Sequence, residues 1–306
     1  MKLFFRSALC FFFAVLCPLA GCLLFPEREE AQENILLLLP DGDRSELSEE
    51  DYLTGVLAGE MPASFPPEAL KAQAVAARSY ARRLSTGSRH PDAALCTRGE
   101  CCQHYLSEAE QRELWGADYD LYAAALRAAV RATEGEILRY EGEPIEACFH
   151  ASSPVCTENS EAVWGQSVPY LVSVSSPETA ETVPRFLSSA ELTAEELCAA
   201  LALEPLPGCE LGECRRDAAG RVETLELMGC SFTGTELRQR LSLRSTAFTA
   251  EYAAGLYRFT VSGSGHGVGM SQYGARILAE DGWDYAAILR HYYPGTELFK
   301  AAPCTP

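Results

Sequence analysis

The sequence predicts an α+β protein: an N-terminal membrane anchor followed by a body of mixed helices and antiparallel strands. Three observations carry that expectation. Lys2 and Arg6 precede an uncharged stretch, Ser7 to Phe25, which the charged cluster Glu27 to Glu30 closes. Helical signals dominate up to Thr133 and short strand signals dominate after it, so the two are segregated rather than alternating. Finally, the 306 residues are 47% hydrophobic and 22% charged, the balance of a chain with a folded core.

Residues 1–25 form the anchor. The apolar stretch is long enough to cross a hydrocarbon core as a helix, and its two leading cations keep the N-terminus cytoplasmic, which puts the body outside. Leu19-Ala20-Gly21-Cys22 resembles a bacterial lipobox, so the anchor is either a lipid on Cys22 or the uncleaved helix, which Leu23, Leu24 and Phe25 extend. Residues 26–47 make a polar linker and a first strand, Ile35 to Leu39, that enters a turn at Pro40-Asp41-Gly42-Asp43. The body spans 48–306. Ser48 caps a helix with Glu49, Glu50 and Asp51 in its first turn; it ends near Gly59, ahead of Pro62. A second helix runs from Pro66-Pro67 to about Leu84, and a Cys- and His-bearing loop follows to Tyr105. A third helix covers 118–133. Beyond it lie a hairpin (136–140 and 144–150), a strand (170–175), a helix (192–203), a loop (205–214), and strands at 221–232, 247–251 and 256–262. A helix at 235–241 separates the first two of these, and helices at 271–280 and 283–292 close the chain.

The formal charge is −18 and no Lys/Arg run exceeds two residues. Nucleic acid is therefore excluded as a partner, because phosphate neutralisation needs a basic surface.

Glu60 stands where a helix stops and a proline turn begins, beside Met61 and Phe65, which can desolvate a carboxyl and raise its pKa. By itself such a Glu is more often a solvated helix end. Arg78, on the next helix, is in a position to face it. The surrounding segment reads YLTGVLAGEMPASFPPEALKAQAVAARSYA, from Tyr52 to Ala81. Four further blocks follow: FHASSPVCTENSEAVWG (149–165), Val168-Pro169-Tyr170-Leu171, the Gly-Arg-Val strand to Leu-Arg-Ser-Thr corner (220–248), and GSGHGVGMSQYGA (263–275). Together these blocks, in this order, resemble the SpoIID family of sporulation cell-wall proteins from Tyr52 to Gly295. Pro154, Val155 and Cys156 depart from the glycines usual in that family.

The resemblance implies a body with a substrate cleft and lytic transglycosylase activity on peptidoglycan stripped of stem peptides, with Glu60 as catalytic acid. It implies a cleft position for Arg78. By their chemistry Ser152, Tyr170, Gln272 and Tyr273 suit sugar contacts, aromatic faces and amide forks matching pyranose rings and N-acetyl groups, or else serve packing or the surface; His266, in its glycine loop, is a further candidate substrate contact. The resemblance also implies work at the outer face of the cell membrane during engulfment, beside the amidase and endopeptidase SpoIIP and the scaffold SpoIIM. The glycines around His266 allow positive φ or close approach of a ligand; they lack the spacing and lysine of a nucleotide-binding P-loop. Two other readings stay open: a non-catalytic glycan-binding activator of an amidase, and hydrolysis by water.

His90, Cys96, Cys101 and Cys102 share one loop, with His104 in reserve. Four N and S donors suit a closed, structural zinc site, and some SpoIID proteins hold zinc here with two His and two Cys. A disulfide among the three cysteines is the alternative in an oxidising exterior. No His-Glu-x-x-His helix supports a zinc hydrolase. Elsewhere, Cys209 and Cys214 bracket a short loop and are spaced to pair.

Overall fold

The computed structural model describes residues 34–85, 89–90, 95–204 and 211–300. The expected anchor, residues 1–25, lies outside them, as does Cys209. Among the described residues no helix is long and apolar enough to cross a membrane. The body is mixed helix and mostly antiparallel strand, as the sequence predicts.

Strand β1 (Ile35–Leu38) pairs antiparallel with β2 (Arg44–Leu47) and parallel with β3 (Leu95–Cys96). Helix α1 (Glu49–Glu60) starts where the Ser48 hydroxyl accepts a hydrogen bond from Asp51 N at 3.1 Å. Helix α2 (Pro67–Ser85) is rich in alanine, and Ala69, Ala72, Ala74, Ala76 and Ala77 are fully buried. Small side chains let neighbours approach on several sides of α2. Those neighbours are α1, α4 (Tyr119–Ala132, preceded by α3, Glu108–Trp115), β4 (Glu136–Tyr140) and the two helices that close the chain. The chain then forms β5 (Glu143–Pro144), β6 (Phe149–His150) and the short α5 (Ser160–Trp164).

A second core follows. It is built by β7 (Leu187–Thr193), α6 (Ala194–Leu201), β8 (Leu211–Arg216), β9 (Val222–Leu227), β10 (Cys230–Thr233), α7 (Gly234–Arg240), β11 (Phe248–Ala253) and β12 (Leu256–Ser262). Its two three-stranded sheets have the orders β10-β9-β8 and β11-β12-β7. Along β12, Tyr257, Phe259 and Val261 point inward while Arg258 and Thr260 are exposed, the alternation of a one-sided sheet. The chain returns to the first core through β13 (Met270–Ser271, parallel to β6), α8 (Gln272–Glu280), α9 (Tyr285–Tyr292) and β14 (Glu297–Lys300, antiparallel to β4).

Several expected elements differ. The strand expected at 221–232 is a hairpin, β9 and β10, because Met228 and Gly229 both take positive φ (53° and 77°) in a two-residue turn of the primed kind. The loop expected at 205–214 contains the start of β8. Residues 170–175 form no regular strand. Their backbone instead bonds to the Ser-rich segment, with Thr157 N donating to Val174 O and Ser160 N to Leu171 O.

The largest correction concerns Arg78, which the sequence places in the cleft beside Glu60. It is 1% exposed, deep in the first core. Its Nε donates to Glu49 Oε2 at 2.9 Å, and its Nη atoms donate to the carbonyls of Val130, Thr133 and Glu136 at 3.2, 2.8 and 3.1 Å. Val130 and Thr133 sit at the C-terminal end of α4, where carbonyls lack helical partners and a cation is favoured. Arg78 therefore closes α4 and ties it to α1.

Candidate functional site

A cavity of about 990 Å³ runs between the two cores. Glu60, the last residue of α1, lines it together with the loop 99–104, the 146–150 segment, Trp164, His266 and the α7 residues Thr235, Arg238 and Gln239. The chain leaves α1 in extended conformation at Met61, which turns the Glu60 carboxyl toward the cavity loop. There His104 N donates to Glu60 Oε1 at 2.8 Å, and the His104 ring lies 3.0 Å from the Gly59 carbonyl oxygen. Any Cβ at Gly59 would come within 2.5 Å of the His104 carbonyl oxygen, so this glycine lets the loop close on the carboxylate. Burial raises the Glu60 pKa; the His104 N–H, the His104 charge and the Gln272 carboxamide act the other way without cancelling it. Gln272 is buried next to Glu60, but its Nε2 lacks a hydrogen bond of good geometry. His104, the reserve metal ligand of the sequence, thus serves Glu60 instead.

The loop that delivers His104 carries the cysteine cluster. The donor atoms of His90, Cys96, Cys101 and Cys102 all lie within 4.8 Å of one another. His90 Nε2 is 3.3 Å from Cys101 Sγ and 3.5 Å from Cys102 Sγ. Adjacent cysteines reach one point because the chain turns there, with Cys101 N and Cys102 N both donating to Arg98 O. Each of these cysteines is free, as are Cys148, Cys156 and Cys214. Gln103 fastens the loop to the core through Tyr52 Oη and Ala77 O.

In the glycine-rich loop 263–269 all four glycines take positive φ and pack closely against the protein's own backbone and side chains. At Gly269 (φ 72°) a Cβ would fall 2.0 Å from Cys148 O. Gly269→Ala is expected to cost about 2–5 kcal/mol, combining left-handed strain with overpacking. An unchanged denaturation midpoint would contradict that. The loop presents His266, whose ring packs between Trp164 (5.3 Å) and His150 (5.7 Å), with Val268 N donating to its Nδ1. Burial, then the nearby Arg238 charge, pushes the His266 pKa down to about 4. The ring is therefore neutral at pH 7 and is no general acid.

Behind it stands a buried polar layer. His150 Nε2 meets Ser153 Oγ at 2.6 Å, Arg221 Nη2 donates to the same oxygen at 2.9 Å, and Arg221 lies 3.6 Å from Glu158. Burial and Asp217 push Glu158 up to about 7.

Of the expected substrate contacts, His266 lines the cavity and Gln272 adjoins Glu60. Ser152 does not reach the cavity: it is 3% exposed and its backbone pairs with Ser264. The Tyr170 hydroxyl accepts from Glu146 N and its ring leans on Tyr140, while Tyr273 packs edge-on against Phe65 at 5.2 Å. Neither tyrosine lines the cavity. Two residues that do were not assigned a role from sequence. Trp164 is 50% exposed at the rim, and its place in the Val-Trp-Gly block was a usable signal. Arg238 sits on a polar surface helix and gave none.

The family model described as Stage II sporulation protein (SpoIID) matches residues 43–140. The chain is 38% identical to Stage II sporulation protein D of Bacillus amyloliquefaciens over 256 residues, 82% of this chain and 74% of that one. Identity and coverage are the same for Stage II sporulation protein D of Bacillus subtilis (strain 168). An Amidase enhancer of that strain is 31% identical over 300 residues, covering 80% of this chain and 40% of that protein. The aligned stretches take in both cores and are too long and too similar to reflect a shared motif alone: the chain belongs to the SpoIID family, a family of stage II sporulation proteins.

Proposed function

We propose that this protein is a peptidoglycan lytic transglycosylase that cleaves denuded glycan strands, with Glu60 as its acid and base. The observation that supports this best is the Glu60 carboxyl itself, desolvated in the wall of a cavity large enough for several sugar rings. Two other carboxylates line that cavity, but Glu146 is 41% exposed and paired with Arg89, and Glu100 is exposed. Hydrolytic glycosidases ordinarily need two carboxyl groups. One suffices when the muramic C6 hydroxyl attacks its own C1. Protonated Glu60 gives its proton to the glycosidic oxygen, the C1–O bond breaks, and the C6 oxygen bonds to C1. The carboxylate then takes the hydroxyl proton, so no water is consumed and Glu60 ends as it began. A raised pKa keeps the acid loaded. The exposed Trp164 face supplies a stacking surface for a pyranose ring.

The test is turnover of purified denuded strands: 1,6-anhydro-muramic ends should accumulate with wild type, and their absence would sink the reading. The similarity to an Amidase enhancer favours a second reading, a glycan-binding activator without turnover. It would be supported by strand binding that survives Glu60→Gln while wild type releases nothing. In engulfment the partner amidase would strip the stem peptides, and the anchor of residues 1–25 would hold the protein at the outer face of the membrane.

The cysteine cluster fits zinc. A tetrahedron of sulfur and nitrogen ligands about zinc has edges of roughly 3.5–3.8 Å, close to the His90–cysteine separations. With all four corners filled by protein, the metal would hold the loop 96–104 in shape and take no part in the reaction. Elemental analysis should give about one zinc per chain, lost together with several degrees of Tm in a Cys96→Ser, Cys102→Ser variant. Full disulfide bonding of these cysteines by mass spectrometry would overturn it.

A further inference from the structure

Two guanidinium groups line the cavity, Arg89 and Arg238. Arg89 is occupied, donating to Cys101 O at 2.8 Å and pairing with Glu146. Arg238 is not. Its single side-chain hydrogen bond among the described residues runs from Nε to Arg244 O at 3.4 Å, and no carboxylate of those residues pairs with it. Arg112, Arg131, Arg215 and Arg258 each hold a carboxylate, whereas Arg216 and Arg240, like Arg238, reach only carbonyl oxygens, and Arg238 differs from those two in lining the cavity. The group is also half-buried, so its charge is neither matched by the protein nor fully solvated. Burial lowers its pKa, consistent with a cation that lacks a counter-ion. It lies close enough to His266 to depress that ring's pKa, and it lines the same cavity as His266 and the loop that carries His104.

An unpaired guanidinium fork calls for a planar anion with two oxygens. Given that the cavity takes glycan, as proposed above, such an anion exists on the strand: the lactyl carboxylate of muramic acid. It is free only where the stem peptide has been removed; otherwise the same carbon is a neutral amide. We infer that Arg238 recognises the free lactyl carboxylate and is the residue that makes the protein select denuded strands. The cavity arginine is thus one of the second core, on α7, and not Arg78, for which the resemblance implied a cleft position.

The experiment measures binding in a Glu60→Gln background, which blocks turnover. One probe is a denuded GlcNAc–MurNAc oligomer; the other is the same oligomer with its lactyl carboxyls converted to methylamides. The carboxylate form should bind about 10- to 100-fold more tightly, the range expected of a charged hydrogen-bonded pair. Adding Arg238→Gln should erase that preference by weakening the carboxylate form alone, leaving methylamide affinity as the internal control of folding. Arg238→Lys should restore part of it. Equal affinity for both probes before the Arg238 change, equal weakening of both after it, or a preference that survives it would each overturn the inference. The catalytic reading fails separately: a carboxylate preference without anhydro product in wild type leaves Arg238 in place and removes the reaction.

Discussion

Glu60→Gln is expected to lower the rate of anhydro-muramic product formation by about 10²–10⁴-fold, the usual range for loss of a positioned acid and base, while strand binding and the unfolding midpoint stay close to wild type. Gln keeps the shape and can still accept the His104 N–H bond, so a structural role would be largely spared. Only the proton is lost. The pH dependence follows from the direction of the Glu60 shift. Catalysis needs the protonated carboxyl, so kcat/KM should fall as pH rises through a pKa that lies above the ordinary carboxylate value. This falling limb should disappear from the residual rate of Glu60→Gln. A variant that retains full turnover would remove Glu60 from the chemistry.

Arg78→Ala should instead act on stability, with a cost of about 3–5 kcal/mol. Removing the guanidinium leaves the Glu49 carboxylate buried with Arg82 as its remaining cation, and it takes one donor from each of three carbonyls, two at the end of α4 and one at the start of β4. Against a typical total of about 5–15 kcal/mol, that is enough to unfold a large share of the molecules on warming. Chemical denaturation should show a lower midpoint at an unchanged slope. The double variant Arg78→Ala, Glu49→Ala should cost less than the sum of its parts, because the two residues share one interaction. Loss of turnover with an unshifted midpoint would contradict the structure and return Arg78 to the cleft.

These two residues also show what a sequence can and cannot disclose. Glu60 is legible because its signals are local: a Ser48 cap, an acidic first turn and a proline stop fix the helix end that carries it. Arg78 is also on a correctly predicted helix, but α2 is buried around most of its circumference, so periodicity does not say which neighbour a given side chain meets. The Cys/His cluster was readable for the opposite reason, as its four candidate donors fall within one short loop. His104 was not, since its N–H reaches Glu60 across 44 positions of sequence separation.

The same distinction runs through the fold. Capped helices such as α1 appear where expected, whereas β2, β7 and β14 are strands by virtue of their partners. β7 pairs with β12 from a position about seventy residues earlier in the chain, and its exposed, polar alternation resembles a loop when read alone. Met228-Gly229 lacks the Asn-Gly or Asp-Gly signature of a tight hairpin, so the turn that splits β9 from β10 is visible only in its dihedral angles. Ser152 and Tyr273 belong to family motifs, yet both turn out to support the cavity from outside it. Arg238 carries no local signal at all, and its significance comes from its place in the cavity wall with no carboxylate partner among the described residues, which only a folded chain can reveal.

The central claim is that one carboxyl suffices because the sugar supplies its own nucleophile. Digestion of denuded strands in ¹⁸O-labelled water, followed by mass spectrometry of the new muramic ends, tests it directly. Internal attack predicts anhydro ends that carry no label. Labelled reducing ends would show that water is the nucleophile and would contradict the account.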